Sequence, residues 1–382
     1  MKAYKTEINP TTKQVIFFNA CAGTSRFVFN LYLGIKHDLY YKYGKQSCSA
    51  YSFDKELNKI KKDVYPWMYD VPSCIIQTTE QNVDLAFKNF FRRVKQGEKP
   101  GYPKFKNKFK TKKSFKFVGN LKVTTNKIKV PKIGWVELKE SNYIPINIKP
   151  KSMTISERAG RWFVSVLIDE DTKIDCNLKK VIGIDVGIKI LASCSTGKEY
   201  KNNKYGYEHE RKIKRLNKKL ARQKLGSNRR NKTKIKLQKE YYRMSCKRND
   251  DIHKMTTEIV NKNPEIIVLE NLKIKNMMKN HKLSKSIADA SFFTIKQYLK
   301  YKGEQRGIEI LEVDTMFPST QLCSYCGNRK TGVNKMQLKD RVYKCSVCGL
   351  EIDRDYNAAL NLKKYGEDQR NLRTGRLEVT NK

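Results

Sequence analysis

Val181-Ile182-Gly183-Ile184-Asp185-Val186-Gly187 is the stretch on which the fold turns. Its apolar density and closing glycine predict a strand that runs into a turn, followed by a second strand over Ile190 to Cys194. Strand side chains alternate between faces, so Ile182 and Ile184 are assigned to the core side, and Gly183, Asp185 and Gly187 to the other. An acid flanked on its own face by two glycines is expected to have open space beside it, where a cation and a phosphate can approach. Taken alone, the motif is equally well explained as a turn-forming aspartate at a hairpin end.

Two further acids give that reading weight. Ile266-Ile267-Val268-Leu269-Glu270 follows Pro264 and reads as a short buried parallel strand with a carboxylate at its tip. In open α/β sheets, ligands gather at the carboxyl ends of strands. Further on, Asp353-Arg354-Asp355-Tyr356-Asn357-Ala358-Ala359 opens a helix. Asp353 suits the N-cap. Asp355 precedes the two alanines by three and four residues and shares their face, which is expected to pack closely on the sheet. Asp353 lies about 200° away around the helix. Asp185, Glu270 and Asp355 are therefore the candidate catalytic carboxylates, with Asp353 the alternative third member. Such a hard oxygen site suits Mg²⁺ or Mn²⁺. Two such ions about 3.5–4 Å apart serve phosphodiester hydrolysis. His253 reads better as a helix-packing residue.

Cys323-Ser324-Tyr325-Cys326-Gly327 and Cys345-Ser346-Val347-Cys348-Gly349 are paired knuckles with 18 residues between them. This is the pattern of a closed four-thiolate zinc site, structural because no position is left for water. The other six cysteines, Cys21, Cys48, Cys74, Cys176, Cys194 and Cys246, show no paired spacing and read as ordinary thiols. A disulfide framework is not indicated, and an intracellular, cytoplasmic, nucleoid-associated protein is expected.

Composition points to the partner. The 382 residues include 80 Lys or Arg against 38 Asp or Glu, a formal net charge of +42. A compact chain this basic repels itself unless a polyanion neutralises it. No apolar run approaches the length of a membrane span, and Met1 to Asn9 lacks the apolar region of a secretory signal. Residues 211–250 hold 17 Lys or Arg and two acids, and a thin apolar stripe around Gly226-Ser227-Asn228 predicts two antiparallel helices with one very basic face. Arg229 and Arg230 are the candidate phosphate contacts there. Lys104, Lys106 and Lys108 alternate with Phe105 and Asn107, a pattern that suits phosphate contact with base stacking as well as it suits a plain lysine-rich edge strand.

Towards the N-terminus, residues 3–18 read as extended and end in Val15-Ile16-Phe17-Phe18. Ala20 to Val94 reads as helical, broken at Pro66 and Pro72. Short β runs between Leu121 and Asp169 predict a small β-domain or barrel. The tail from Gly366 reads as polar and poorly ordered.

Taken in order, Gly183-Ile184-Asp185-Val186-Gly187, Leu269-Glu270-Asn271-Leu272, the two knuckles and Asp353-Arg354-Asp355-Tyr356-Asn357-Ala358-Ala359 resemble the TnpB (OrfB) proteins of insertion sequences, relatives of compact type V CRISPR nucleases. Leu225-Gly226-Ser227-Asn228-Arg229, Phe317-Pro318-Ser319 and Gly101-Tyr102-Pro103-Lys104-Phe105-Lys106 extend the likeness to nearly the whole chain. The resemblance implies a multidomain α+β and α/β chain. Residues 1–19 and 117–175 would form a β-barrel wedge domain and 20–116 a helical recognition domain with a basic linker. Residues 176–319 and 351–366 would form an RNase H-like (RuvC) core, 320–350 the inserted zinc ribbon and 367–382 a flexible tail. It further implies a guide RNA, a double-stranded DNA target and metal-dependent cleavage by Asp185, Glu270 and Asp355. The alternatives are a repressor that binds DNA without cutting it, guided or direct, and a transposase accessory protein. Phe292-Phe293 departs from the family where a tryptophan is expected.

Overall fold

The computed structural model describes residues 1–44, 46–170, 180–337 and 339–373. Cys176 and the tail 374–382 lie outside them. The chain divides into two compact units on either side of residue 171.

The first unit opens with β1 (Lys2–Asn9) and α1 (Thr12–Tyr41), followed by α2 (Ala50–Val64), a 3₁₀ turn over Pro66–Asp70 and α3 (Ser73–Lys95). The apolar run at residues 15–18 is therefore helical, not extended. Thr11 and Gln14 form a reciprocal capping box that starts α1, the Thr11 side chain accepting from Gln14 N and the Gln14 side chain from Thr11 N at 2.9 Å. Phe18, Cys21 and Ala22 then fall on one helical face against the sheet, while Ile16 points to solvent.

The sheet contains β2 (Ser114–Val118), β3 (Lys122–Val123), β4 (Lys127–Val130), β5 (Gly134–Leu138), β6 (Ser152–Arg158) and β7 (Arg161–Ile168), in the order β2-β6-β7-β1-β5-β4-β3. The two edge strands β2 and β3 are consecutive in the chain, joined through residues 119–121. Seven flat strands would set the edges about 29 Å apart, whereas that link reaches at most about 14 Å. The sheet must therefore curl strongly, around a core that includes Phe115, Phe117, Met153, Ile155, Val164 and Val166. It does not close into the expected barrel. β2 pairs only with β6 and β3 only with β4 among the described residues. A two-residue edge strand offers too few backbone groups for a second ladder.

The second unit is built on a five-stranded sheet. Its strands are β8 (Lys180–Val186), β9 (Ile190–Cys194), β10 (Glu199–Lys201), β11 (Pro264–Glu270) and β12 (Glu309–Val313), ordered β10-β9-β8-β11-β12. The β8–β9–β10 portion is antiparallel, and β11 runs parallel to both β8 and β12. Between β10 and β11 lie α4 (Tyr205–Ala221) and α5 (Asn228–Val260), the antiparallel hairpin anticipated around Gly226. After β11 come α6 (Ile274–Met277), α7 (Ser284–Ala290) and α8 (Phe292–Glu304). The C-terminal part of α5, with α7 and α8, covers the face that presents Ile182, Ile184, Ile267 and Leu269. His253 stacks on Tyr298 of α8 with ring centroids 4.0 Å apart, a packing role as expected.

The opposite face presents Val181, Gly183, Ile266 and Val268. After the ribbon strands β13 (Val342–Lys344) and β14 (Glu351–Asp353), α9 (Arg354–Arg373) lies across that face. Gly183 is not beside open space, as its sequence context suggested. A Cβ there would run into the Ala359 carbonyl oxygen and sit 2.5 Å from the Lys363 amide nitrogen. A Cβ on Gly366 would lie 2.5 and 2.7 Å from the side chains of Val268 and Val181. Gly366 is thus a packing residue inside a helix that runs on to Arg373, not the start of a loose tail.

Replacing Gly183 by Ala is expected to destabilise the second unit by about 1–3 kcal/mol or more, because backbone rather than a flexible side chain blocks the added methyl. A thermal melt unchanged from that of the parent would refute this packing.

Candidate functional site

The seating of α9 sets the geometry of the acids. Gly366 lies over Val181 and residues 359–363 lie over Gly183, so the helix runs antiparallel to β8 and its first turn reaches the level of Asp185. On the neighbouring strand, Leu269 pairs with Ile184, which places Glu270 beside Asp185 about 5 Å away along the hydrogen-bonding direction. Asp185, Glu270 and Asp355 thus meet at one end of the sheet. Burial is the main reason that the Asp185 carboxyl is held well above its usual range. The negative charges of Glu270 and then Asp355 add to the effect, and the Arg354 cation opposes it.

Each acid is held by its own partners. The Val186 amide favours the Asp185 carboxylate. Ser319 Oγ donates a hydrogen bond to Glu270 Oε1. Arg354 Nε and Nη2 donate to Asp355 Oδ1 at 3.1 and 2.9 Å, and Arg341 stands 3.8 Å from the other oxygen. Asp353 is exposed and accepts from the amides of Asp355 and Tyr356 at 2.8 and 3.0 Å, which is the helix-cap geometry. Ser319, Arg354 and Asn357 lie inside stretches that carry the family resemblance, but nothing in the sequence assigned them, or Asn361, a role at the site.

The ribbon enters and leaves from this corner. Asn361 Nδ2 donates to the carbonyls of Ser319 and Leu322 at 2.8 and 2.9 Å. Asn357 donates to Leu322 O at 2.7 Å and accepts from Ser324 N at 3.0 Å. These two residues lie one turn apart on α9 and are buried, so the backbone entering the first knuckle is fixed to the helix that carries Asp355. The four sulfurs of Cys323, Cys326, Cys345 and Cys348 all lie within 4.8 Å of one another. Two pairs, Cys323–Cys348 and Cys326–Cys345, are 3.6 Å apart, too long for a disulfide. That separation is close to the edge of about 3.8 Å of a tetrahedron with 2.3 Å metal–sulfur bonds. Backbone N–H groups of Cys348 and Val347 aimed at Cys345 bring its thiol down to about 6. No second group of described His, Cys, Asp or Glu residues, the three acids included, brings three ligand atoms so close.

The five candidate nucleic-acid contacts separate into two kinds. Lys104 and Lys108 are exposed, and the neighbouring rings of Phe105 and Phe109 are 61% and 74% exposed. Lys106 departs from the expected phosphate role. Its ammonium sits 3.7 Å from the Phe29 ring centroid, burial lowers it to about 8, and Asn30 bonds its backbone on both sides. Arg229 lines a concavity of about 700 Å³ with Arg211, Lys214, Arg215, Lys218, Lys219 and Arg222. Arg230 instead donates to the carbonyls of Leu220 and, at 2.9 Å, Gln223, so its charge closes the turn between α4 and α5. Among the described residues, no helix is long and apolar enough to cross a membrane.

Residues 164–281 match the OrfB family model described as "Probable transposase", residues 292–362 a "Cas12f1-like, TNB domain", and residues 1–45 a "Helix-turn-helix domain". The last span holds β1 and one long helix over its described residues. A "Putative RNA-guided DNA endonuclease" of Streptomyces pristinaespiralis is 30% identical over 374 residues, covering 96% of this chain and 89% of the relative. The "Putative RNA-guided DNA endonuclease InsQ" of Escherichia coli K12 is 27% identical over 390 residues, covering 96% and 92%. The protein in a cryo-EM structure of a Cas12f1–sgRNA–target DNA complex superposes with a TM-score of 0.59 at 18% identity, covering 92% of this chain and 83% of that one. The class defined is a mixed α/β multidomain protein whose fold resembles that of Cas12f1 and which carries a four-cysteine cluster. The chain belongs to the TnpB (OrfB) family of insertion-sequence proteins.

The crowding of acids has a pH signature. Because the folded-state carboxyl of Asp185 lies above its unfolded value, its stabilising contribution is present at acid pH and is lost as pH rises through the raised value. Metal-free Asp185→Asn is therefore expected to melt close to the parent near about pH 4 and several degrees above it near about pH 8. Parallel melting curves for the two proteins across that range would contradict the charge crowding described here.

Proposed function

We propose that this chain is an RNA-guided DNA endonuclease of a transposable element, and that it cleaves phosphodiester bonds with divalent ions held by Asp185, Glu270 and Asp355. The observation that carries the reading is the convergence of these acids, from two strands and a helix, at one end of the five-stranded sheet. Family membership supports it, since relatives similar over nearly their full length carry that activity in their names. On this reading, residues 180–319 and 351–373 form an RNase H-like (RuvC) core. The curled sheet takes the role of a wedge domain and α1–α3 that of a recognition domain.

The acids fit Mg²⁺ or Mn²⁺. They are hard oxygen donors, and the mutual repulsion felt at Asp185 is of the kind a cation relieves. When bound, such ions would activate water and neutralise charge on the scissile phosphate. The chain's own residues supply the positioning. Ser319 fixes the Glu270 carboxylate, and Arg354 fixes Asp355 while bonding Asp340 O at 3.1 Å in the segment leading to β13. The concavity of α4 and the exposed Lys104 and Lys108 would bind backbone phosphates of guide RNA and double-stranded DNA. An intracellular location, at the nucleoid, follows from that substrate. The four cysteines would hold one structural Zn²⁺, which would brace the ribbon against α9.

Purified protein is expected to carry RNA, and Asp185→Ala is expected to lower target cleavage by several orders of magnitude while keeping that RNA. Undiminished cleavage by the variant would rule out the site, and target repression without breaks by the parent would instead make the chain a guided repressor. Metal analysis is expected to find about one zinc per chain, lost in Cys345→Ala. A zinc-free folded protein would overturn the ribbon assignment.

A further inference from the structure

Next to Glu270, on the side of the sheet away from α9, the second unit has a cavity of about 390 Å³. Glu270 stands at its edge, β8 and β11 contribute Val186 and Leu269, the segment after β11 contributes Lys273 and Lys275, and Phe292 and Phe293 open α8 at its far wall. The volume falls at the low end of the range for ligand pockets, about 300–1,000 Å³. Its two phenylalanines differ. Phe292 is buried in the core beneath the pocket, whereas Phe293 is 63% exposed and has no aromatic or cationic partner among the described contacts. Leaving a large ring in water at the mouth of a pocket forgoes the burial that would stabilise it.

The charges around the ring narrow the choice of occupant. Lys273 and Lys275 are exposed at the rim, and Lys273 is the third residue after Glu270. Lys296 faces the pocket too, but its ammonium is committed to Glu312, where Lys300 also binds at 2.8 Å. The remaining combination is an apolar floor, an exposed aromatic face and two lysines with no ion pair among the described residues, next to Glu270. A purely apolar ligand would have no use for the lysines, and an inorganic anion none for the ring. A nucleotide matches both, with its base on the aromatic face and its phosphate towards the cations.

We propose that this pocket is a base-stacking subsite for the nucleic-acid strand engaged by the carboxylates. Phe293 receives the base of a nucleotide next to the scissile phosphate, and Lys273 and Lys275 hold the backbone on its outer side. The proposal rests on the nuclease reading for the words "scissile phosphate", but the pocket's chemistry stands apart from cleavage. Because every base has a π face, the subsite would steady the strand without reading its sequence. By holding a neighbouring base it would also fix which phosphate lies among the acids, which is a positioning role.

The test uses the full chain with the RNA that co-purifies, and a 12-nucleotide single-stranded DNA carrying one 5-iododeoxyuridine at successive positions. Irradiation in calcium buffer is expected to cross-link the peptide that contains Phe293, from one position or two adjacent ones. Phe293→Ala is expected to abolish that cross-link and to weaken oligonucleotide binding at fixed salt by about 5- to 100-fold. Phe293→Trp should restore binding and Phe293→Leu should not. Because the ring is exposed, all three variants are expected to melt with the parent, so lost binding would not reflect unfolding. Cross-links that map elsewhere, or Phe293→Ala binding equal to the parent's, would overturn the subsite. Asp185→Ala separates the two readings: it is expected to cross-link at Phe293 without cutting. Cutting by this variant would remove the nuclease site but leave the subsite standing, and a Phe293→Ala protein that cuts and binds normally would do the reverse.

Discussion

The second unit depends on how closely α9 can approach its sheet. Gly183 in β8 and Gly366 in α9 each leave out a side chain at the point where the other element presses in, and Ala358 and Ala359 complete the small-residue contact. Helix backbone and strand backbone meet almost directly. Because the contact holds two turns of α9 against β8, it fixes the helix along its axis as well as in height. The first turn, with Asp355, is thereby carried to the end of the sheet where Asp185 and Glu270 emerge. A helix held farther off by ordinary side chains would keep the fold and lose the convergence.

The same helix organises the ribbon. Asn357 and Asn361 are buried amides in a helix interior, where uncompensated polar groups are costly. They are tolerated because each bonds backbone of the ribbon entrance, at Ser319, Leu322 and Ser324. This arrangement gives the ribbon a chemical connection to the acids. Ser319, whose carbonyl is held by Asn361, sends its hydroxyl to Glu270, and Arg354, next in the chain to the cap, bridges Asp355 to the backbone at Asp340. Loss of ribbon order would be felt at both carboxylates.

Charge runs in two opposed directions through the molecule. Its surface is strongly basic, with a groove of arginines and lysines along α4, while the site at the end of the sheet concentrates acids whose repulsion is visible at Asp185. Each arrangement is unfavourable in isolation. Together they suit a partner that is a polyanion along its length and needs cations at one point. The cations that turn inward are as informative as those that remain exposed: Lys106 over Phe29 and Arg230 across the α4–α5 turn spend their charge on the fold.

Much of this was legible in the residues themselves. Alternation placed Asp185 on one face of its strand, the apolar run Ile266 to Leu269 marked Glu270 as a carboxylate at a strand tip, the i, i+3 and i+4 relation put Asp355 with the alanines, and knuckle spacing marked the four cysteines, because each of these is a local pattern that the chain carries whatever its surroundings. The start of α1 was misjudged because a capping box at Thr11 outweighs a β-like apolar run. The curled sheet was legible as strands but not as an open order, since closure is decided by the length of an edge partner far away in the ladder. Only tertiary structure could show that Gly183 makes room for a helix rather than for a ligand, that Lys106 and Arg230 face inward, that Ser319 bonds Glu270, and that Phe293 shares a pocket with Glu270. Those facts depend on which groups folding brings together, and contacts such as that of Gly183 with the backbone of Ala359, or of Lys106 with Phe29, leave no period in the sequence to read.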